Sequence, residues 1–314
     1  MKRSRLIIPL ISAFFFVFTS CHREFYQNSG YTWGTTYRIV YSSDRNLGDS
    51  ITSVLALVDS TLSVFHPGSE INRLNAGSDE IVSLHVRRVF GCARHVNAVS
   101  GGAFDPTVGP LVDLWGFGPG KQHNNPSPEE ISRALRAVGI DSCSIGQNGR
   151  MCRKSPDTRF NFSALAKGYG VDLVAGMLRR NGVEDYMVEI GGEIALAGHS
   201  PRGTAWRIQV DAPVRTDNPD SLHTCMEVLE LGPEPIALAT SGNYRNYRTV
   251  GDTVVGHTID PRTGYPARAG ARSVTVMARD CMTADALATA AMAMCPDSAE
   301  VMLSRHALRH ILIR

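Results

Sequence analysis

Apolar and polar residues follow two different periods along this chain, and these periods predict helices and strands in different places. Apolar residues recur every three or four positions over residues 49–65, which predicts an amphipathic helix. A second helix is predicted over 82–99 and a third over 164–180, where Asn181 and Gly182 end the pattern. Residues 31–41 roughly alternate and predict a strand. Further short strands are predicted over 186–190, 194–197, 206–210, 226–231, 236–240, 273–278 and 309–313.

The spacing of these elements predicts the fold class. Several helices come before a run of short strands that are separated by glycine-bearing, hairpin-like turns. Such an order is typical of an α+β protein, here with mixed helices around a largely antiparallel sheet. We find no internal repeat and no low-complexity tract in the 314 residues. This length is enough for one large domain or two intimate subdomains.

The N-terminus has the composition of an export signal. Lys2, Arg3 and Arg5 precede an apolar run over residues 6–18, and small residues stand directly before Cys21. We interpret residues 1–20 as a lipoprotein signal peptide that is cleaved before Cys21, whose thiol then carries lipid. Residues 21–29 are then a tether and residues 30–314 the folded domain. A membrane-spanning anchor is the alternative, but a run of about 13 apolar residues is shorter than the ~20 that cross a bilayer.

The charge balance gives no reason to expect a nucleic-acid partner. The chain has 32 basic and 30 acidic residues, a net charge of +2. The signal peptide contains three of the basic residues and none of the acidic ones, so the mature chain has 29 minus 30, or −1. A protein that binds the phosphate backbone usually carries a clear basic excess.

Six cysteines besides Cys21 leave the disulfide question open. An even number in an exported protein permits disulfides, although a domain of this size does not need them. Cys143 and Cys152 flank a turn and either face each other across a hairpin or are simply small buried residues. No CxxC spacing occurs, so the sequence does not predict a zinc site.

The strongest chemical signal lies in two segments near the C-terminus. Residues 257–264, His-Thr-Ile-Asp-Pro-Arg-Thr-Gly, predict a strand that ends in a tight turn. Residues 282–289 predict the start of a helix with Thr283 as its N-cap. Asp285 and Thr289 are four residues apart and therefore share one helix face. A carboxylate and a hydroxyl are hard oxygen ligands that suit Mg²⁺, and Mg²⁺ near a histidine indicates phosphoryl-transfer chemistry.

Other segments combine glycine with polar residues, and each has an ordinary structural interpretation as well. The glycine-rich run 101–118 contains Asp105, which could accept hydrogen bonds from a base or a ribose, or the run is only a loop. Lys167 follows a predicted helix start, where free N–H groups favour anions, but the spacing is not that of a P-loop. The turns at 188–193 and 239–244 either line a cleft or only reverse the chain.

Together and in this order, these segments resemble the FAD:protein FMN transferase family, the ApbE-type lipoproteins. The similarity extends over roughly residues 30 to 290, and the lipoprotein signal agrees with it. The order of so many short motifs makes the resemblance specific. The matching segments are residues 33–37, 69–71 with 74–75, 104–118, 163–169, 190–192, 240–247, 257–261 and 283–285.

The resemblance implies an ApbE-like α+β fold with an FAD cleft between two intimate subdomains. It implies that FAD is the substrate, that its pyrophosphate is split, and that FMN is joined to a threonine or serine hydroxyl of a target flavoprotein while AMP leaves. The family's Mg²⁺ ligands correspond to the Ala164 carbonyl, Asp285 and Thr289, and its transfer histidine to His257. The family's FAD-contacting positions correspond to Trp33, Phe65, Ala103, Phe104, Asp105, Asn161, Lys167 and Ile259.

The resemblance also implies partners and a location. Acceptors of this family are flavoproteins such as membrane redox-pump subunits, and lipid on Cys21 places the protein at a bacterial inner membrane, facing the periplasm. The chain departs from the family at Trp33, usually methionine, at Phe65, where tyrosine is common, and at Asn161, usually aspartate. The last two bear on the balance between FMN transfer and FAD hydrolysis. The alternative functions are therefore a Mg²⁺-dependent FAD pyrophosphatase that gives FMN and AMP, and a non-catalytic FAD-binding lipoprotein.

Overall fold

The computed structural model describes residues 24–119, 125–213, 224–242, 247–250, 253–267 and 270–314. The predicted signal peptide and Cys21 lie outside this part of the chain. Within it, no helix has both the length and the apolar character needed to cross a membrane.

Thirteen strands and eight α-helices are found in the described residues, together with a short 3-10 helix at Ile140–Ser142. The helices are α1 Gly48–Leu62, α2 Glu70–Asn75, α3 Leu84–Val99, α4 Gly109–Leu114, α5 Pro128–Leu135, α6 Ser163–Arg180, α7 Cys281–Met292 and α8 Pro296–His306. The strands are β1 Glu24–Thr32, β2 Thr35–Ser43, β3 Ser144–Ile145, β4 Met151–Cys152, β5 Tyr186–Ile190, β6 Glu193–Ala197, β7 Trp206–Asp211, β8 Cys225–Leu231, β9 Ile236–Gly242, β10 Tyr247–Val250, β11 Thr253–Gly256, β12 Ser273–Ala278 and β13 Arg309–Ile313.

A seven-stranded antiparallel sheet is the centre of the fold. Its order is β1-β2-β5-β6-β9-β12-β13, and each neighbouring pair is antiparallel. Three further antiparallel pairs, β3-β4, β7-β8 and β10-β11, stand outside it. Helices α6 and α7 contact each other as well as the sheet. The α+β class with a largely antiparallel sheet is therefore confirmed.

The first hairpin of the sheet differs from the prediction. Residues 31–41 do not form one strand, because Trp33 and Gly34 make the turn of a hairpin in which Thr32 pairs with Thr35. Both turn residues have positive φ, 48° and 77°, as the two-residue turns that match strand twist require. Strand β1 already begins at Glu24, so residues 24–29 of the expected tether belong to the sheet.

The six cysteines in the described residues are all free thiols. Cys152 pairs with Ser144 across the β3-β4 hairpin, so Cys143 stands next to the position opposite it. Cys143 is buried and Cys152 is exposed. Burial raises the pKa of the Cys143 thiol, which makes it less reactive. The interpretation of this pair as small buried residues is therefore confirmed for Cys143 and is wrong for Cys152, which is exposed.

Gly168 sets the distance between α6 and α7. A Cβ atom at this position would lie 2.4 Å from the Cys281 carbonyl oxygen and 2.9 Å from the Asp285 Cβ. Many of the buried residues of α7 are alanines, whose small side chains permit close approach of neighbouring elements. The backbones of these two helices can therefore come together only because one of them lacks a side chain at the crossing point.

We expect Gly168→Ala to lower the free energy of unfolding by about 1–3 kcal/mol, because the added methyl group forces two packed backbones apart. Urea denaturation at constant pH measures the difference. Gly91→Ala is the matched control, since Gly91 is also helical and its Cβ would meet no atom within 4 Å. That control is expected to gain about 0.5–1 kcal/mol from helix propensity. Equal stabilities of the two variants would show that the contact between α6 and α7 can accommodate a methyl group at position 168.

Candidate active site

Helix α7 carries Asp285 and Thr289 on one face, as predicted. Its N-cap is Asp280 rather than Thr283, because the Asp280 side chain accepts a 2.8 Å hydrogen bond from the Thr283 amide. The helix therefore begins at Cys281, three residues earlier than a Thr283 cap would give. The difference does not move Asp285 and Thr289 relative to each other, because both lie inside the helix in either case.

Oxygen atoms from three elements converge beside these two residues. The Thr289 Oγ1 atom lies 3.5 Å from the carbonyl oxygen of Ala164, in the first turn of α6. It also lies 3.4 Å from the Ser241 hydroxyl, near the end of β9. One turn earlier on α7, Asp285 Oδ2 accepts a 3.1 Å hydrogen bond from the Gly168 amide. The structure thus brings Thr289 together with the Ala164 carbonyl and the Ser241 hydroxyl, and it places Asp285 one turn away on the same two helices.

The chemistry of this donor set fits a hard divalent cation. Carbonyl, hydroxyl and carboxylate oxygens are the ligands that Mg²⁺ takes, and a single carboxylate leaves positions for water or substrate oxygens. No group of three or more His, Cys, Asp or Glu side chains suited to a metal occurs in the described part of the chain.

Electrostatics also favour a cation beside Asp285. Its side chain is buried, 4% exposed, and burial raises the pKa of its carboxyl to about 7 although the nearby Lys167 ammonium lowers it. A raised carboxyl pKa means that the surroundings compensate the negative charge incompletely. A divalent cation bound there would supply the missing positive charge.

Lys167 and Glu193 form an ion pair next to Asp285. The Lys167 ammonium contacts Oε1 of Glu193, whose side chain is buried on β6. Burial alone would lower the pKa of Lys167, but Glu193 and Asp285 raise it well above its usual range. In the sequence, Glu193 stands only as the last residue of the glycine-bearing turn 188–193. One signal was available, a charged residue at the start of the otherwise apolar strand 193–197.

Trp33 and Phe65, two of the predicted FAD contacts, lie in different surroundings. The Trp33 ring packs against Gly170 of α6, and its Nε1 lies 3.3 Å from the Leu55 carbonyl oxygen that it faces on α1. Phe65, just after α1, is 63% exposed. In this structure Trp33 is thus part of the packing between two helices, whereas the ring of Phe65 is accessible to a ligand.

Ala103, Phe104 and Asp105 lie in the buried loop that follows α3. Both carboxylate oxygens of Asp105 accept hydrogen bonds from within the protein, from the amide and hydroxyl of Thr107 and from the Ile140 amide. Burial raises the pKa of Asp105. Its carboxylate therefore braces the loop here, and a contact with FAD through this group stays a prediction.

Asn161 lies at the start of α6. Its side-chain oxygen accepts a 3.0 Å hydrogen bond from the Ser163 amide, and its own amide donates to the Pro106 carbonyl at 2.7 Å. The residue thus ties the glycine-rich loop to the start of the helix that carries Ala164 and Lys167.

The turn after β11 carries His257 and Ile259. His257 is exposed, with its ring 6.5 Å from that of Phe117. Ile259 is buried in a cluster with Trp115 and other apolar residues of the 104–118 segment. Arg262 pairs with Asp260 and also donates to the Ala293 carbonyl, at the end of α7. The predicted turn is confirmed, and it connects the glycine-rich loop with α7.

Comparison with known proteins identifies the family. A model of the ApbE family matches residues 33–312. The chain belongs to the ApbE family. An FAD:protein FMN transferase of Vibrio cholerae is 39% identical over 276 residues, which cover 85% of this chain and 80% of the relative. One from Haemophilus influenzae is 34% identical over 302 residues, which cover 91% and 86%.

Solved structures agree with this ApbE-family membership. The flavin transferase ApbE of Vibrio cholerae matches with a TM-score of 0.80 and 34% identity, over 93% of this chain and 97% of that one. The apo flavinyl transferase ApbE of Pseudomonas stutzeri matches with a TM-score of 0.79 and 31% identity, over 93% and 95%. The similarity therefore extends over nearly the whole of each chain and includes the segments that form the site.

Proposed function

We propose that this ApbE-family protein transfers FMN from FAD to a threonine or serine hydroxyl of a target flavoprotein. The observation that carries the proposal is the placement of Asp285 and Thr289 on one face of α7, against the first two turns of α6, which supply the Ala164 carbonyl and carry Lys167. Such a site suits a pyrophosphate group that is held by a cation and a fixed positive charge. The relatives of similar length bear the name of this activity.

The reaction needs little covalent participation by the protein. The acceptor hydroxyl oxygen forms a bond with the phosphorus of the FMN half, the bridging P–O bond breaks, and AMP leaves with the bridging oxygen. A Mg²⁺ ion on the proposed oxygen set would neutralise the charge of the phosphates. Lys167 adds a fixed positive charge to the same site. His257, exposed directly after β11, is the group that we propose to accept the hydroxyl proton.

Acceptor dependence tests this function. The protein is incubated with FAD and Mg²⁺, with and without an acceptor flavoprotein, while AMP and protein-bound flavin are measured. We expect AMP release only with the acceptor and in equal amount to covalently bound FMN. AMP release at the full rate without the acceptor would identify an FAD pyrophosphatase. FAD binding without turnover, with either Mg²⁺ or Mn²⁺, would identify a non-catalytic flavin carrier.

For location, we propose that lipid on Cys21 anchors the protein to the outer face of a bacterial inner membrane. Strand β1 begins at Glu24, three residues later, so the folded domain would lie within about 10 Å of the anchor. Cys21→Ser is expected to give a soluble or uncleaved precursor that retains FAD chemistry, because lipid decides location and not catalysis. Fractionation of this variant as a mature membrane protein would refute the proposed lipidation.

A further inference from the structure

Glu193 is a buried carboxylate to which neither the sequence motifs nor the proposed chemistry assigns a role. It is 2% exposed and is the first residue of β6, directly after a two-residue turn. The turn residues, Gly191 and Gly192, have φ of 66° and 102°, and the Gly192 amide donates to the Glu189 side chain at 2.9 Å. Because this turn is tight and held on both sides by sheet pairing, the position of Glu193 is fixed by the backbone.

Lys167, by contrast, has a long and flexible side chain. Fixing such a side chain costs rotamer entropy, and a lysine ammonium has no planar geometry that would orient it. Two carboxylates lie near it, Glu193 on the sheet and Asp285 on α7, and both raise its pKa. It makes its direct ion pair with Glu193. The Lys167 ammonium therefore lies next to the sheet, at Glu193. Asp285 accepts its hydrogen bond from the Gly168 amide instead.

Burial of a carboxylate lowers the stability of the fold unless the charge is paired. If Glu193 served the fold alone, an apolar residue at this position would stabilise it better. The strand that it begins is otherwise apolar, Ile-Ala-Leu-Ala. The pair also joins two elements of the site, since Lys167 lies one turn after Ala164 on α6. These facts indicate a role in the arrangement of the site.

We infer that Glu193 is a positioning residue, which holds the Lys167 ammonium at the place where the pyrophosphate of FAD binds and keeps it from closing on Asp285. The inference rests on the proposed function for the identity of the substrate. It assigns to Glu193 no contact with FAD and no proton transfer. Its effect on FAD is transmitted through Lys167, and this dependence separates it from a residue that only stabilises the fold.

A double-mutant cycle on the full-length protein tests this inference. FAD affinity is measured by quenching of flavin fluorescence without metal and without acceptor, for wild type, Glu193→Gln, Lys167→Met and the double variant. We expect Glu193→Gln to weaken FAD binding about tenfold, a common coupling for residues in direct contact. In the Lys167→Met background the same substitution should have no further effect. The transfer rate should fall about 10- to 100-fold, as it does for partners that orient a ligand-binding group.

Controls distinguish positioning from folding. Glu230→Gln removes an exposed carboxylate from β8, outside the site, and should leave FAD affinity within about twofold of wild type. If Glu193→Gln is poorly folded, Glu193→Asp takes its place, because it keeps the charge and withdraws the carboxylate by one methylene group. A wild-type FAD affinity in a folded Glu193 variant, or losses that multiply in the double variant, would overturn the inference. Wild-type protein that binds FAD but transfers no FMN would refute the proposed function alone, since the binding cycle is still measurable.

Discussion

Asp285→Ala is expected to abolish magnesium-dependent FMN transfer, with a loss of about 10²–10³-fold or more, the range for removal of one preorganised electrostatic group. Asp285 is the only carboxylate in the proposed oxygen set, and the carbonyl of Ala164 and the hydroxyl of Thr289 carry no net charge. Transfer rates at increasing Mg²⁺ concentration measure the effect. Asp280→Ala is the matched control, because Asp280 caps the same helix and should cost only about 0.5–2 kcal/mol of stability. Substantial magnesium-dependent activity in Asp285→Ala would place the metal elsewhere.

The conservative variant Asp285→Asn should lose the magnesium-dependent activity but gain stability at alkaline pH. Burial raises the pKa of Asp285 to about 7 in the folded protein, above its usual 3.8. The folded protein is therefore favoured at low pH, where this carboxyl is protonated, and the free energy of unfolding falls as the pH rises through about 7. In metal-free buffer at pH 8, we expect Asp285→Asn to unfold at higher urea than wild type, and the difference to shrink at pH 5. An Asn variant that is less stable at pH 8 would show that Lys167 compensates the charge fully.

His257→Ala is expected to lower FMN transfer by about 10²–10⁴-fold, the usual contribution of a general base. FAD affinity should hardly change, because the proposed FAD contacts lie on other residues. Single-turnover transfer to an acceptor flavoprotein measures the rate, and fluorescence quenching measures the affinity. The turn that follows has its own supports, since the Gly264 amide donates to the Asp260 carbonyl and Trp115 donates to the Gly264 carbonyl.

His199→Ala is the matched control for His257, because His199 is also an exposed histidine and lies outside the site. It should transfer FMN at the wild-type rate. If His257→Ala instead loses FAD binding and thermal stability together, the histidine braces the turn. An unchanged transfer rate in a folded, FAD-binding variant would remove His257 from the mechanism and leave positioning and charge neutralisation to perform it.

Local patterns predicted most of the elements. The predicted strands 186–190, 273–278 and 309–313 have the observed bounds, and the predicted helix 164–180 begins one residue late. The shared face of Asp285 and Thr289 follows from helix geometry alone. In contrast, the β1-β2 turn was missed, because a tryptophan at positive φ carries no local signal. Asp280 and Thr283 are both good caps, so spacing could not choose between them.

Contacts between residues that are distant in the chain could not be predicted from the sequence. Asp105 accepts a hydrogen bond from Ile140, and Glu193 pairs with Lys167, although neither pair shares a motif or a helix face. Such pairs are created when separate elements pack, and no periodicity encodes which partner will be near. The order of motifs identified the family and so the candidate residues, but it could not show that Asp105 is used within the protein or that Lys167 has a partner.

The hydrogen bond between Arg262 and the Ala293 carbonyl, at the end of α7, makes the position of His257 depend on the position of this helix. The beginning of this helix is held by Asp172, which accepts from the Cys281 and Met282 amides, and its end holds the turn that carries His257. Helix α7 therefore sets the distance between the proposed metal ligands and His257. Added bulk at the buried alanines of this helix should shift both ends at once, so we expect such substitutions to alter turnover before they alter FAD binding.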